Sequence, residues 1–310
     1  MKVPIVLPEP GSAAFDFAAL GECSLDYVGV VAAWPRPDEK ATLRAFSVQP
    51  GGQAATAALA CRRLGWTSRF IGSVGDDASA ASALGPMRRA GVDVRVVTAP
   101  GARTRAAMIL VSGSGSRTVL GYCDPAFRMT ADDVDGTLAA NARIVLVDAT
   151  SLPASVVAAR AARRRGRPVL VDLDGPEPGL DALLAEVDIL VVSVAALSAL
   201  TGSAEVAQGL RGLAASSRAA VVIATLGAEG SLAMCRGREI RTAAPPVWVV
   251  DTTGAGDAFR GGLAAGWLRE GAGADLGRVL TYANTVAALS CRSLGAQTGL
   301  PTADEVARFL

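Results

Sequence analysis

Short runs that are apolar at almost every position alternate along this chain with longer segments whose apolar residues return every three or four places. The runs Phe15–Gly21, Ser68–Val74, Ile144–Asp148, Val169–Asp174, Ile189–Ser193 and Ala220–Leu226 read as strands buried on both faces. Between them, Ala54, Ala57, Ala58, Cys61 and Leu64 make one apolar face of a helix within Pro50–Trp66, with Gly65 as its stop. Further helices are predicted from Gly75-Asp76-Asp77 to Ala90, with both aspartates as caps, and over Ala131–Asn141, Ala154–Arg165 and Leu180–Glu186. Two more follow, over Ala274–Arg292 and Thr302–Leu310. Doubly buried strands separated by helices predict an α/β fold, with a mostly parallel sheet covered by helices on both sides. Ligands of such sheets sit at the carboxyl ends of the strands.

Two regions break the rhythm. Tyr27–Val48 alternates weakly and is interrupted by WPRPDE, which is too irregular for a core helix. Val92–Val97, Ala106–Val111 and Thr118–Tyr122 are strand-like, and the last two flank SGSGSR, a hairpin signal.

Composition narrows the function. A chain of 310 residues, 51% hydrophobic and 5% aromatic, suits a large α/β core rich in small aliphatic residues. A formal net charge of +1 points to no nucleic-acid partner and no anionic membrane surface. No apolar run reaches the length of a membrane span, and the prolines of MKVPIVLPEPGSAAF sit where an export signal needs an apolar helix. The five scattered cysteines have no CxxC spacing, so reduced thiols in a cytoplasmic protein are expected. The chain has no histidine, which removes Ser-His-Asp and Cys-His catalysis. Its only lysines are Lys2 and Lys40, and no GxxxxGK[ST] occurs, so any use of ATP proceeds without a Walker loop.

The stretch with the most chemistry is VVDTTGAGDAFRGGLAAGWL, Val249–Leu268. It passes from apolar residues through a nearly side-chain-free turn into a helix. Unpaired amides at a helix start, together with the helix dipole, suit a phosphate or a phosphoryl group in transfer. Asp257 stands at that start, either as a cap or as a base beside the anion cradle.

The unbroken string DTTGAGDAF, Asp251–Phe259, resembles the C-terminal signature of the ribokinase-like (PfkB) carbohydrate kinases. The resemblance extends from Gly21 to Pro301. It implies a three-layer α/β/α sandwich with a mostly parallel central sheet and a small β-strand lid. The domain would be single, 1–310, with lid segments at about 27–48 and 101–123 inserted in it.

It also implies an ATP-dependent sugar kinase. Asp257 would be the general base, and Gly254, Ala255 and Gly256 the anion hole. Asp26, five residues after Gly21, matches a family aspartate that binds sugar hydroxyls. Lys40 lies in the lid flap, where it would reach an anionic group on a sugar or stay solvated. Gly51, Gly52, Gln53 and Thr56 match the N-terminal signature that lines the sugar, with Gln and Thr where many members have Asn. Thr225, Gly227 and Gly230 match the nucleotide loop, and Asn284 a position lining the adenine. Asp251, Thr253, Ser290, Gly295 and Gly299 match the ligands of a potassium-type ion.

One departure stands out. The Asn-x-x-Glu that helps hold Mg²⁺ is replaced by Ser193 and Ala196, which leaves Asp172 and Asp174 as candidates for that role or as caps. GGQAATAA and this loss place the chain nearest the ketohexokinase and sulfofructose kinase branch. Gly121 and Thr150 stand where sulfosugar kinases grip a sulfonate, so a neutral ketose such as fructose, or another small sugar, is the expected substrate. A nucleoside or sulfosugar kinase, and a sugar-binding protein with impaired catalysis, are the alternatives. The lid strands present an apolar face and open edges, which predicts a homodimer through the lid.

Overall fold

The computed structural model describes residues 1–127 and 129–310. Nine strands form one sheet, in the order β13-β12-β11-β10-β9-β8-β1-β4-β5. They are β1 (Phe15–Gly21), β4 (Ser68–Gly75), β5 (Asp93–Ala99), β8 (Ala142–Asp148), β9 (Val169–Leu173), β10 (Ile189–Ser193), β11 (Val221–Thr225), β12 (Ser231–Cys235) and β13 (Arg238–Thr242). From β5 to β11 every pairing is parallel, while β12 runs antiparallel to both of its neighbours.

Successive strand residues face opposite layers. Phe17, Ala19, Ile144, Leu146, Val191 and Ile223 pack on α1 (Gln53–Arg63), α2 (Ala78–Arg89), α8 (Ala255–Glu270), α9 (Leu276–Ser290) and α10 (Ala303–Ala307). Ala18, Leu20, Val145, Val147, Val192 and Ala224 pack on the opposite layer. That layer holds α3 (Gly136–Ala140), α4 (Leu152–Arg164), α5 (Asp181–Leu184), α6 (Val194–Thr201) and α7 (Val206–Ser216).

Helix α8 is buried without interruption from Ala258 to Leu268, as befits a helix without a polar face. Its glycines let both neighbours come close. A Cβ on Gly261 would stand 2.6 Å from the Ala57 carbonyl oxygen of α1, and one on Gly262 would stand 2.8 Å from Val286 Cβ of α9. The helix is thereby clamped with its N-terminus at the carboxyl ends of the strands.

A second, four-stranded sheet has the order β3-β2-β6-β7. It joins β2 (Ser24–Val30) and β3 (Ala45–Gly51) to the hairpin of β6 (Ala106–Val111) and β7 (Arg117–Tyr122). These strands fall within or beside the predicted lid segments.

Four details differ from the sequence reading. The helix expected over Ala131–Asn141 shrinks to Gly136–Ala140, because the Thr130 amide and hydroxyl donate to Asp133 and hold a turn there, while Asp135 caps the shorter helix. Helices α6 and α7 and strands β12 and β13 were not predicted. The two strands are joined through Arg236 and Gly237, both at positive φ, a primed turn without an Asn-Gly signal. Asp76 and Asp77 do not cap α2 with their side chains. Asp76 accepts from the Gly101 amide at 2.9 Å and Asp77 from the Thr104 hydroxyl at 2.6 Å, which ties this corner to the chain entering the lid.

Candidate active site

The carboxyl ends of the central strands bring a group of acids together. Glu22 follows β1, Asp148 closes β8, and Asp172 and Asp174 stand at the end of β9. Asp148 is fully buried and accepts from the Glu22 amide (2.7 Å), the Thr150 amide (3.0 Å) and the Thr150 hydroxyl (2.6 Å). Gly21 is bare because a Cβ there would collide with this carboxylate. Burial raises the Asp148 pKa, an effect opposed by these hydrogen bonds.

The sugar-side residues expected from Gly51 to Gln53 meet the turn between β1 and β2. A Cβ on Gly51 would stand 2.0 Å from Asp26 Oδ2, and one on Gly52 would stand 2.6 Å from the Glu22 carbonyl oxygen. The glycine pair is therefore what lets Asp26 and the start of α1 share one wall. Asp26 accepts from the Ser24 hydroxyl at 2.8 Å. Burial raises its pKa to about 6, against the pull of that bond. The Gln53 amide donates to Asp174. Lys40 lies exposed in the loop between β2 and β3. Thr56 does not face the pocket. It is completely buried, and its hydroxyl accepts from the Gln297 amide at 3.3 Å, so its place in the second turn of α1 turns it inward.

At the head of α8, Gly254 takes the left-handed conformation (φ 74°) as N-cap. A Cβ there would sit 2.7 Å from Ala296 Cα, so the glycine serves both the turn and the approach of the neighbouring loop. Ala255 donates its amide to the Thr252 carbonyl and Ala258 to that of Gly254. The amides of Gly256 and Asp257 between them have no partner among the described residues. Two free donors at the positive end of a long helix are suited to hold an anion; the Ala255 amide, expected to belong to such a hole, is engaged by Thr252 instead.

The Asp257 side chain beside them is 15% exposed, so it reaches the cleft. Burial raises its pKa to about 6, and the Arg260 guanidinium opposes that rise. A carboxylate with this value is ionised at neutral pH and still accepts a proton readily.

Three expected site residues have other work in the structure. Asp172 is completely buried, and its carboxylate pairs with the Arg260 guanidinium rather than facing a metal. Asn284 is buried too, and its amide donates to the Ser231 hydroxyl (3.0 Å) and the Thr242 carbonyl (3.1 Å). It pins α9 to the β12–β13 hairpin and leaves no donor for an adenine. A Cβ on Gly230 would stand 2.0 Å from that same Thr242 carbonyl oxygen, so this glycine packs against the hairpin. Thr225 ends β11 with its hydroxyl toward the Val192 carbonyl (3.4 Å), and Gly227 opens the next turn at φ 60°.

The five expected ion ligands lie in one region. Asp251 accepts from the Thr253 amide (2.8 Å), the Thr253 hydroxyl (2.7 Å) and the Gly295 amide (2.8 Å). Gly299 approaches Ser290 so closely that a Cβ would stand 2.1 Å from its carbonyl oxygen.

The lid touches this machinery at two points. Thr252, just before the free amides of α8, donates its hydroxyl to the Gly115 carbonyl (3.1 Å) at the hairpin tip and accepts from Arg117 (2.9 Å). Gln49 of β3 accepts from the Thr298 hydroxyl (2.6 Å).

Sequence reasoning missed Glu22, Arg105, Arg117, Asp148 and Arg260. Glu22 lies 3.6 Å from Arg105, and its pKa is pushed up to about 7, chiefly by burial. Asp148 ends an apolar strand, a signal that was available. The arginines carry no local pattern.

A proton-accepting carboxylate beside free helix-start amides, at the strand ends of a doubly wound sheet, defines a phosphotransferase acting on a hydroxyl. Residues 15–303 match the pfkB family of carbohydrate kinases, and the chain belongs to that family. It is 33% identical over 282 residues to an ATP-dependent ribose-1-phosphate kinase of Halopiger xanaduensis, covering 89% of this chain and 91% of that protein. A fructokinase of Klebsiella pneumoniae is 31% identical over 281 residues, covering 84% of this chain and 92% of that protein. The structure of Arabidopsis thaliana ribokinase complexed with ribose and ATP superposes with a TM-score of 0.81 at 25% identity, covering 96% and 98% of the two chains.

Proposed function

We propose that this protein transfers the γ-phosphoryl group of ATP to a hydroxyl of a small neutral sugar. The observation that carries this reading is the solvent-reaching Asp257 carboxylate beside the unpaired Gly256 and Asp257 amides. Asp257 takes the hydroxyl proton as the sugar oxygen forms its bond to the γ-phosphorus. The bond from that phosphorus to the β–γ bridging oxygen breaks, ADP leaves with the electron pair, and the amides of the hole hold the charge on the phosphoryl oxygens.

Asp26 and the Gly51–Gln53 turn form the sugar wall. Asp26, Asp174, Glu22 and Asp257 together favour a polyhydroxy substrate that donates hydrogen bonds and disfavour an anionic one. That favours a ketose such as fructose, or ribose, over the phosphorylated sugar named for one relative.

Magnesium would ride on the ATP phosphates. Asp172 is taken by Arg260 and Asp174 by Gln53, and among the described residues no group of three acidic or cysteine side chains could cage a metal. Asp251, Thr253, Ser290, Gly295 and Gly299 fit a potassium-type ion, which would stiffen the turn leading into the anion hole. The whole chain would act as one kinase domain with its lid inserted.

ADP release with fructose, ribose, adenosine and ribose 1-phosphate, each with ATP and Mg²⁺, tests the reading. Turnover with a neutral sugar is expected. Turnover confined to the nucleoside or to the phosphorylated sugar would contradict it, as would an absence of turnover across a broad sugar panel.

A further inference from the structure

The side chain of Arg260 is not part of the anion hole or of the sugar wall, yet it lies directly beneath the catalytic carboxylate. It belongs to the second turn of α8 and reaches back toward the helix start, the direction a long helical side chain takes. One terminal nitrogen meets Asp172, at the end of β9, and the other stands 3.4 Å from Asp257 Oδ1. The residue is 4% exposed and its Asp172 partner is completely buried. Gly256 makes room for it, because a Cβ there would stand 2.6 Å from Arg260 Nη1.

A neutral Asp172–Arg260 pair would by itself be a modest structural feature, since desolvation offsets most of the attraction in a buried pair. Here one guanidinium serves two carboxylates, and the second is the one that must accept a proton. The remaining charged groups that act on Asp257 are Asp148 and Asp174 from the ends of β8 and β9, Glu22 from the end of β1, and Arg117 from β7. Three of these four are acids, which oppose the ionised base. Arg260 is the cation nearest to it.

We propose that Arg260 is a positioning residue for phosphoryl transfer: anchored by Asp172, it fixes the orientation of the Asp257 carboxylate and supplies the positive charge that keeps it ionised among neighbouring acids. The inference rests on Asp257 being the base. Burial pushes the Asp172 carboxyl well up and Arg260 opposes that rise, so the guanidinium is the group that favours the ionised form of both carboxylates. Asp172 sets how strongly the guanidinium acts on Asp257, because the two carboxylates share it.

Two substitutions pull in opposite directions. Arg260→Met removes the cation, and Asp172→Asn releases it wholly to Asp257. The acid limb of kcat/KM against pH is expected to move up by about one unit or more in Arg260→Met, with kcat falling about 10²-fold at neutral pH and KM for ATP changing less than about threefold. In Asp172→Asn the limb is expected to move down. Arg260→Lys should recover at least about tenfold of the lost kcat, since the charge returns without the fork.

A limb that stays in place in both variants, or moves the same way in both, would overturn the proposal. So would an Arg260→Lys protein no better than Arg260→Met. If Arg260→Met does not fold, Arg260→Gln takes its place, and the same upward movement of the limb is required of it. Asp257→Asn, measured alongside, separates the two levels. If it retains full turnover, the base assignment fails. If it is impaired while the Arg260 and Asp172 limbs do not move, only the present proposal fails.

Discussion

Asp257 is shaped by three neighbours that differ in kind. The helix start gives it a positive field, burial and to a smaller extent the surrounding acids push its pKa up to about 6, and Arg260 pulls it down. The sign of the pH dependence follows. As the proposed base, Asp257 works only when ionised, so kcat/KM is expected to be flat above neutrality and to fall about tenfold per unit as pH drops below about 6. Glu22, pushed up to about 7, is the nearby group most easily confused with it. Glu22→Gln removes one opposing acid, so the limb is expected to persist and to move somewhat below 6, and a limb that vanishes in this variant would reassign it to Glu22.

At this scale the sequence was readable where a residue acts alone and opaque where it acts through a distant partner. Asp257, Asp26 and the glycines of both signatures stood in recognisable strings. Asp172 and Asn284 were assigned roles by position, but their side chains are committed to Arg260 and to Ser231 and Thr242. Nothing in a linear string says which arginine will fold back onto which strand end.

Among the elements, α8 controls the site because its position is fixed from both sides. The bare surface at Gly261 brings it onto α1, which starts at the turn proposed to line the sugar, and Gly262 brings it onto α9. Gly261→Val would overpack the α1 contact, where a Cβ would already stand 2.7 Å from Ala60 Cβ. A loss of about 1–3 kcal/mol in unfolding free energy is expected, measured by denaturant titration. An unchanged midpoint would mean that the two helices do not bear on each other as described.

The parallel strands were legible because doubly buried strands are apolar throughout, and their ends fell within a residue or two of the runs. The β12–β13 hairpin was not, because Arg238–Thr242 is charged and half-exposed at the edge of the sheet. The first half of the helix expected over Ala131–Asn141 failed because Thr130 and Asp133 satisfy each other locally, a competition that favours a turn.

For the whole molecule, the outstanding surface feature is the apolar face of the lid. Val48, Tyr27, Met108 and Leu120 are paired in register and form one exposed apolar row across all four strands, with Phe46 and Tyr122 beside it. A second copy of the chain meeting this face would bury the row and the adjacent strand edges. Met108→Asp is expected to convert a dimer to a monomer in sedimentation analysis. A wild-type chain that is monomeric at all concentrations would remove the idea. The lid itself was visible in the sequence as irregularity: weak alternation, prolines and a Gly-Ser hairpin tip. That tip touches Thr252 ahead of α8, so the lid and the start of that helix are linked by direct contacts.

The most direct test of the whole account is the turnover of Asp257→Asn with the preferred sugar, measured together with ATP affinity. The expected result is a loss of roughly 10²- to 10⁴-fold in kcat, with ATP bound nearly as well as by the wild type. An Asn variant that turns over at the wild-type rate would contradict it.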